Sequence, residues 1–352
     1  MPTPASWWAN RDMDVTCITK RALERRTRNA RRVPIRTAVA WIVLAACAAA
    51  HAQNMPASVR IIVPFSAGGA QDTLARELAR ELGVRLAVPF TVDNRPGAGG
   101  NIGTDAAAKA TPDGSVLVLS SSGPLANNRL VYKSMPYDPE RDFAPVALVG
   151  ETPLFILAKK SSPYASLGAM LRDAVRGQPA LNFGSAGFGT TSHLALELMR
   201  ENSQREIHHI PYKGGSQVEI DVMASVLDGG IVLYSAADLV HAERGTMRIL
   251  AVTSNMRMAT APAVPTTAEE GFPMLVSYTW FALAGPRGLS KEYVDRMNRE
   301  INEFLRTRAG VTRLQNLGVS AITGPPELVT QRMRDELAKW TPIARKHNIK
   351  ID

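Results

Sequence analysis

From Ser58 onward the sequence alternates short β-branched runs with amphipathic stretches, and several of the junctions hold glycines or small hydroxyl residues. "VRIIVPF" is long enough for one buried strand and too short for a helix. In the stretch after it, Leu74, Ala75, Leu78, Ala79 and Leu82 recur at helical spacing with arginines and glutamates between them. "PFTVDNRP", "GSVLVLSSS", "LFILAKKSS", "ALNFGSAG", "EIHHIPYKGG", "DGGIVLYSAA" and "MRILAVTS" read as further strands, and "GGNIGTDAAAKA" and "TSHLALELMREN" as segments that enter helices. Strands alternating with helices predict an α/β chain with mainly parallel sheets flanked by helices.

The chain has 352 residues, enough for two domains with real cores, yet no internal repeat or low-complexity linker divides it. The division must then be made by segments crossing between lobes. One crossing is expected near Phe155–Ser162 and a return in the proline-rich Thr260–Pro286. The expected organisation is residues 53–160 and 269–352 as lobe 1, with residues 161–268 inserted as lobe 2. In "SKEYVDRMNREINEFLRTRAG" the apolar face of Val294, Met297, Ile301, Phe304 and Leu305 should pack back on the first lobe.

The net charge of +9 is concentrated at one end. Residues 1–36 hold nine basic residues against three acids, Asp12, Asp14 and Glu24. An uncharged apolar run follows, "TAVAWIVLAACAAAHA", ending in Ala50-His51-Ala52. A basic region, a short apolar region and an Ala-x-Ala site predict a secretory signal peptide over residues 1–52 and a periplasmic product. Met13 is an alternative start, and Leu44-Ala45-Ala46-Cys47 resembles a lipobox, the alternative being a chain lipid-anchored through Cys47. Removing that segment's surplus of six leaves residues 53–352 at +3, no electrostatic case for nucleic acid. Both cysteines, Cys17 and Cys47, lie in the presequence, so the exported part offers no disulfide, thiol nucleophile or cysteine metal ligand.

Three glycine-rich junctions carry the candidate chemistry. Gly68-Gly69 precede a helix with Asp72 in its first turn, where free backbone N–H groups and the helix dipole favour an anion; alternatively the glycines only make a tight turn and Asp72 only caps. No Gly-Lys-Ser/Thr follows, which excludes a Walker A loop. In "PGAGGNIG" Ile102 stands where a dinucleotide fingerprint needs its third glycine, so no nicotinamide cofactor is implied. "NFGSAGFGTTSHLALEL" ends a strand in small residues and opens a helix with Thr190, Thr191 and Ser192, a second anion seat built like the first. Ser185 as a hydrolase nucleophile lacks the Gly-x-Ser-x-Gly elbow, because position 183 is Phe, and His193 lies in the helix beyond the loop. His208 and His209 are adjacent on a strand, point to opposite faces and do not readily share a metal; no zinc-binding helix motif accompanies them, so metal catalysis has no support. Two such seats facing one cleft suit a small dianion or an amino-dicarboxylate held by hinge closure, which is binding rather than catalysis.

Taken in order, "VPFSAGGAQD", "VDNRPGAGGNIGTDAAAKATPDG", "MPYDPERDFAPVALVG", "NFGSAGFGTTSHLALELM", "IPYKGG" and "LAVTS" resemble the signatures of the Bug, or TctC-like, family of extracytoplasmic solute receptors of tripartite tricarboxylate transporters, over nearly all of residues 58–352. The resemblance implies a two-lobe periplasmic-binding-protein fold that closes on a small carboxylate. It also implies a monomer with no cofactor, whose partners are transporter permease subunits or, alternatively, a membrane sensor kinase. Carried over, the first-lobe contacts are Phe65, Ser66, Ala67, Gly68, Gly69 and Asp72, with Ser121, Ser122 and Gly123. The second-lobe contacts are Ser185, Ala186 and Gly187; Thr190, Thr191, Ser192 and His193; and Tyr212, Lys213 and Gly214, with Ser235 and Ala236 at the next loop. Departures touch the ligand: Ser66-Ala67 replace the family's common Pro-Pro, Pro124-Leu125 imply a drier pocket wall, and Val232 stands near a usual acid.

Overall fold

Val59–Val63 (β1) buries Val59, Ile61, Ile62 and Val63 and leaves only Arg60 open to water. A strand buried on both faces needs cover on both, which fixes it at the centre of a layered α/β arrangement. The structure is a computed structural model that describes residues 55–173, 179–346 and Ile349. The expected signal peptide over residues 1–52, with Met13, Cys17 and Cys47, lies outside the described residues.

β1 leads into Ala70–Leu86 (α1), whose Leu74, Ala75, Leu78, Ala79 and Leu82 are buried as their spacing requires. α1 stops at Ala87, which turns left-handed. Phe90–Asn94 (β2) returns parallel to β1, Asn101–Ala108 (α2) crosses back, and Val116–Ser121 (β3) pairs parallel on the other side of β1. A π-helical turn, Gly123–Asn127, and the short Asn128–Val131 (α3) then lead to the 17-residue Phe143–Lys159 (β4). After Leu167–Arg172 (α4), the strands Leu181–Ser185 (β5), Ile207–Pro211 (β6) and Gly229–Leu233 (β7) alternate with the helices Thr191–Glu201 (α5) and Gly215–Met223 (α6). β5 pairs parallel with both β6 and β7. Ala236–Glu243 (α7), Met247–Val252 (β8), Tyr278–Pro286 (β9), Lys291–Arg306 (α8), Arg308–Asn316 (α9), Ser320–Ala321 (β10) and Glu327–Lys346 (α10) complete the order.

The strands run β2-β1-β3-β9-β4-β7-β5-β6, with β8 and β10 also on β4. The two outer triplets are parallel, as expected, but the centre is not. β4 is antiparallel to β7, β8, β9 and β10, and β9 is also antiparallel to β3. The reason is β4 itself: through Pro153 it pairs with β9, and from Leu154 it pairs with β7. One strand thus serves two sheets, and antiparallel neighbours need no crossover helix to join it.

Each half has its own core. Met297, Ile301, Phe304 and Leu305 of α8 are buried with Ile61, Leu78 and Leu283, with Val294 at the margin. Each such side chain contributes roughly 1.5–3 kcal/mol by leaving water. Leu154, Phe183, Leu194 and Leu250 belong to a cluster in the other half, and Phe155, Val218 and Val232 to a second one there. α10 is pinned by the buried Glu336, whose carboxylate accepts from the indoles of Trp280 on β9 (3.2 Å) and Trp340 (2.8 Å) and from the Asn127 amide (3.3 Å).

Candidate functional site

β1 runs out through Pro64 and Phe65 into Ser66, Ala67, Gly68 and Gly69, and α1 begins at once. Gly69 has no side chain to cap the helix, so the first N–H groups of α1 keep no partner within it. Asp72 is 4% exposed; its Oδ2 accepts from Gly68 N (2.9 Å) and Arg76 Nε (3.0 Å), while Oδ1 is buried without a partner. Burial alone would raise the Asp72 pKa, but Arg76 and the Gly68 N–H outweigh it and hold the carboxyl below its usual range. Asn94 donates to Phe65 O at 3.1 Å and fixes the loop from the β2 side.

The second seat opens from β5. Thr190 caps α5 by accepting from His193 N (3.3 Å) and donates its own proton to Gly187 O (2.6 Å). Its hydroxyl is then left to accept from Ser192 Oγ (2.9 Å), which in turn accepts from Ala186 N (3.1 Å). Every hydroxyl of the turn has a defined role. Ser122, at the end of β3, meets Thr191 hydroxyl to hydroxyl at 2.8 Å, so the two halves touch here directly.

Between the seats lies a cavity of about 50 Å³. Of the expected residues it gathers Phe65, Ser66, Gly69, Asp72, Ser121, Ser122, Ala186, Thr190, Thr191 and Ser192. The others stand outside its lining for identifiable reasons. Gly68 N is bound to Asp72, and Ala67 O accepts from Ser216 Oγ at 3.4 Å. Gly123 packs on the Thr190 backbone. Gly187 (φ +122°) closes on Gly99 (φ +58°), where backbone meets backbone across the cleft. Tyr212 donates to Asp221, Lys213 contributes its carbonyl rather than its ammonium, and Gly214 lies against Ser66. Ser235 caps α7, and Ala236 is an exposed helix start. The drier wall expected from Pro124-Leu125 is not there: Leu125 packs with Trp280 and Pro124 lies over Gly100. Val232 is likewise a core residue.

The cavity also takes in Ala70, Gln71, Gly215, Glu219, Leu233 and Thr279, none expected from sequence. Ala70 and Gln71 share the first turn of α1 with Asp72, a signal that was available. Glu219 is a turn beyond Gly215 on α6, and only the folding of α6 against the cleft brings it in. Ser66 is the main bridge across the mouth: its hydroxyl lies 2.9 Å from Gln217 Oε1 and 3.2 Å from Lys213 O, and its N–H donates to the same carbonyl at 3.4 Å.

Ser185 and the histidines form a separate, buried group. Ser185 is fully buried and its Oγ lies 2.6 Å from His209 Nε2, so the serine's histidine is His209 rather than His193. Ser185 Oγ also accepts from Gly187 N at 3.2 Å, and Ser185 is not among the residues that line the cavity between the seats. His193 Nδ1 accepts from Gly189 N (3.2 Å), and its ring stacks on His209 at 4.6 Å with Phe188 edge-on to both. Burial first, then the neighbouring positive charge, pulls His193 down to about 3, and burial pulls His209 down to about 4, so both are neutral at pH 7. With Glu197 they bring three metal-ligating atoms within 4.8 Å of one another, a grouping that spacing in sequence did not reveal. Stacked rings hold their lone pairs nearly parallel rather than convergent, and Ser185 and Gly189 already engage one nitrogen of each ring. The rings pack against one another and against Phe188.

A mixed sheet bridged by a shared strand, with a cavity between two helix N-termini, defines a solute-binding protein of the periplasmic-binding-protein class. Comparison with known proteins gives the family. Residues 74–349 match the model of the tripartite tricarboxylate transporter family receptor (TctC), and the chain belongs to that family of solute-binding receptors. It is 36% identical to Protein BugT of Bordetella pertussis over 83% of this chain and 90% of that one. An R. palustris structure with adipate superposes with a TM-score of 0.79 at 33% identity, covering 84% of this chain and 98% of the other. MatC from Rhodopseudomonas palustris with bound malate gives 0.75 at 28% identity, covering 82% and 98%.

Proposed function

We propose that this chain is a periplasmic receptor that captures a small organic carboxylate by closure of its two halves and presents it to the membrane subunits of a tripartite tricarboxylate-type transporter. The observation that carries the reading is the convergence of the α1 and α5 N-termini on one cavity from opposite halves. Their unpaired N–H groups and dipoles supply a carboxylate seat without any basic side chain. The ligands of the two solved relatives, adipate and malate, support the same class. Residues 1–52 serve export, residues 53–160 and 269–352 form one lobe, and residues 161–268 form the other, with β4 and the segment before β9 as hinges. The first-lobe loop from Phe65 to Gly69 and the second-lobe turn from Ala186 to Ser192 hold the ligand between them. Binding without chemistry is the reading that the buried, inaccessible Ser185 favours.

Calorimetry and thermal shift against short mono-, di- and amino-carboxylates test this. At least one should bind in a simple one-site manner and raise the melting temperature. A folded protein that no carboxylate stabilises would overturn the reading.

A further inference from the structure

The cavity lining combines two chemistries. One is the pair of helix N-termini described above. The other is acidic: Glu219 lines the cavity from α6, and no lysine, arginine or histidine does. Glu219 carries no hydrogen bond or ion pair among the described residues. Asp238, in the first turn of α7, is fully buried with both carboxylate oxygens unpartnered, and it feels the charge of Glu219. Asp72, in the first turn of α1, also lines the cavity, but its carboxylate is already paired with Arg76.

Unpaired buried carboxylates are costly, and a protein relieves them by protonation or by a bound cation. Burial raises Glu219 to about 7, and burial reinforced by the Glu219 charge raises Asp238 to about 9. A second ligand carboxylate at Glu219 would add a further negative charge beside it. An ammonium would instead pair with Glu219 directly.

We infer that the cleft is built for a carboxylate that also carries an ammonium group, its carboxylate on the helix N-termini and its ammonium at Glu219, in preference to an unsubstituted dicarboxylate. This rests on the proposed carboxylate-receptor function and narrows its ligand class.

The test uses pairs that differ in one ammonium group, measured calorimetrically at pH 8 on the exported chain: L-alanine and propanoate, L-glutamate and glutarate, L-phenylalanine and 3-phenylpropanoate, 5-aminopentanoate and pentanoate. In whichever pair binds, the ammonium-bearing member should bind at least about tenfold tighter, the worth of one charge-assisted contact. Glu219→Gln should collapse that preference, whereas Asp238→Asn, which puts a neutral amide in place of a carboxyl that is protonated at this pH, should leave it in place. A non-amino member that binds equally well or better, or a preference that survives Glu219→Gln, overturns the inference and leaves the receptor function standing. Failure of every compound to bind overturns both.

Discussion

Ser66 offers the sharpest perturbation of closure. It stands on the first-half loop, and its hydroxyl and N–H both reach the loop after β6 in the other half. One hydroxyl has one proton, so it cannot donate to Lys213 O and Gln217 Oε1 together. Turning the Gln217 amide over lets its NH2 donate to Ser66 Oγ while Ser66 donates to Lys213 O, and both contacts are then satisfied. A net intramolecular hydrogen bond is worth about 0.5–1.5 kcal/mol, and these lie at a partly wetted mouth, which places each near the lower limit. Ser66→Ala therefore removes about 1 kcal/mol from the closed state only, or roughly a fivefold loss in apparent affinity. Ser66→Pro also deletes the N–H contact and should weaken binding further. Calorimetry with a bound carboxylate gives the affinity, and small-angle scattering of the free and saturated protein gives the degree of closure. The melting temperature of the free protein reports on folding. Unchanged affinity in Ser66→Ala, with a normal free melting temperature, would refute Ser66 as a latch.

Two further outcomes follow from the geometry. Gly99→Ala would set a Cβ 2.0 Å from Phe188 O across the cleft, so it should abolish closure and cut ligand affinity by more than tenfold; scattering should show a more open particle even at saturating ligand. His193 and His209 are held neutral in the fold at about 3 and about 4, against about 6.5 when unfolded. Their folded pKa values are lowered, so the stability they confer is full above pH 6.5 and is lost as pH falls toward 4, at up to about 1.4 kcal/mol per pH unit for each. Melting curves between pH 7 and pH 4 should show this decline, and His193→Phe should make it shallower, leaving the share of His209.

Sequence alone was sufficient for whatever local periodicity and junction chemistry decide. The α1 and α8 faces bury the residues their spacing selected, with Val294 alone at the margin, and the small and hydroxyl residues that open α1 and α5 do lie at helix N-termini. These features depend on neighbours three or four residues apart, and a linear text displays such neighbours directly. The ordered signatures likewise carried the family, because they record several loops at once.

Tertiary structure decided the rest. Nothing in the run "FAPVALVGETPLFILAK" announces that one strand will serve both sheets, because strand partners are chosen by segments more than 70 residues away. Nor does sequence show that His209 rather than His193 meets Ser185, which needs β6 to lie beside β5 in register. Glu219 became part of the cavity, and Tyr212 and Ser235 did not, through the docking of α6 and α7. Helix ends and glycine turns are local physics, but which side chains share a cavity is settled only when distant elements pack.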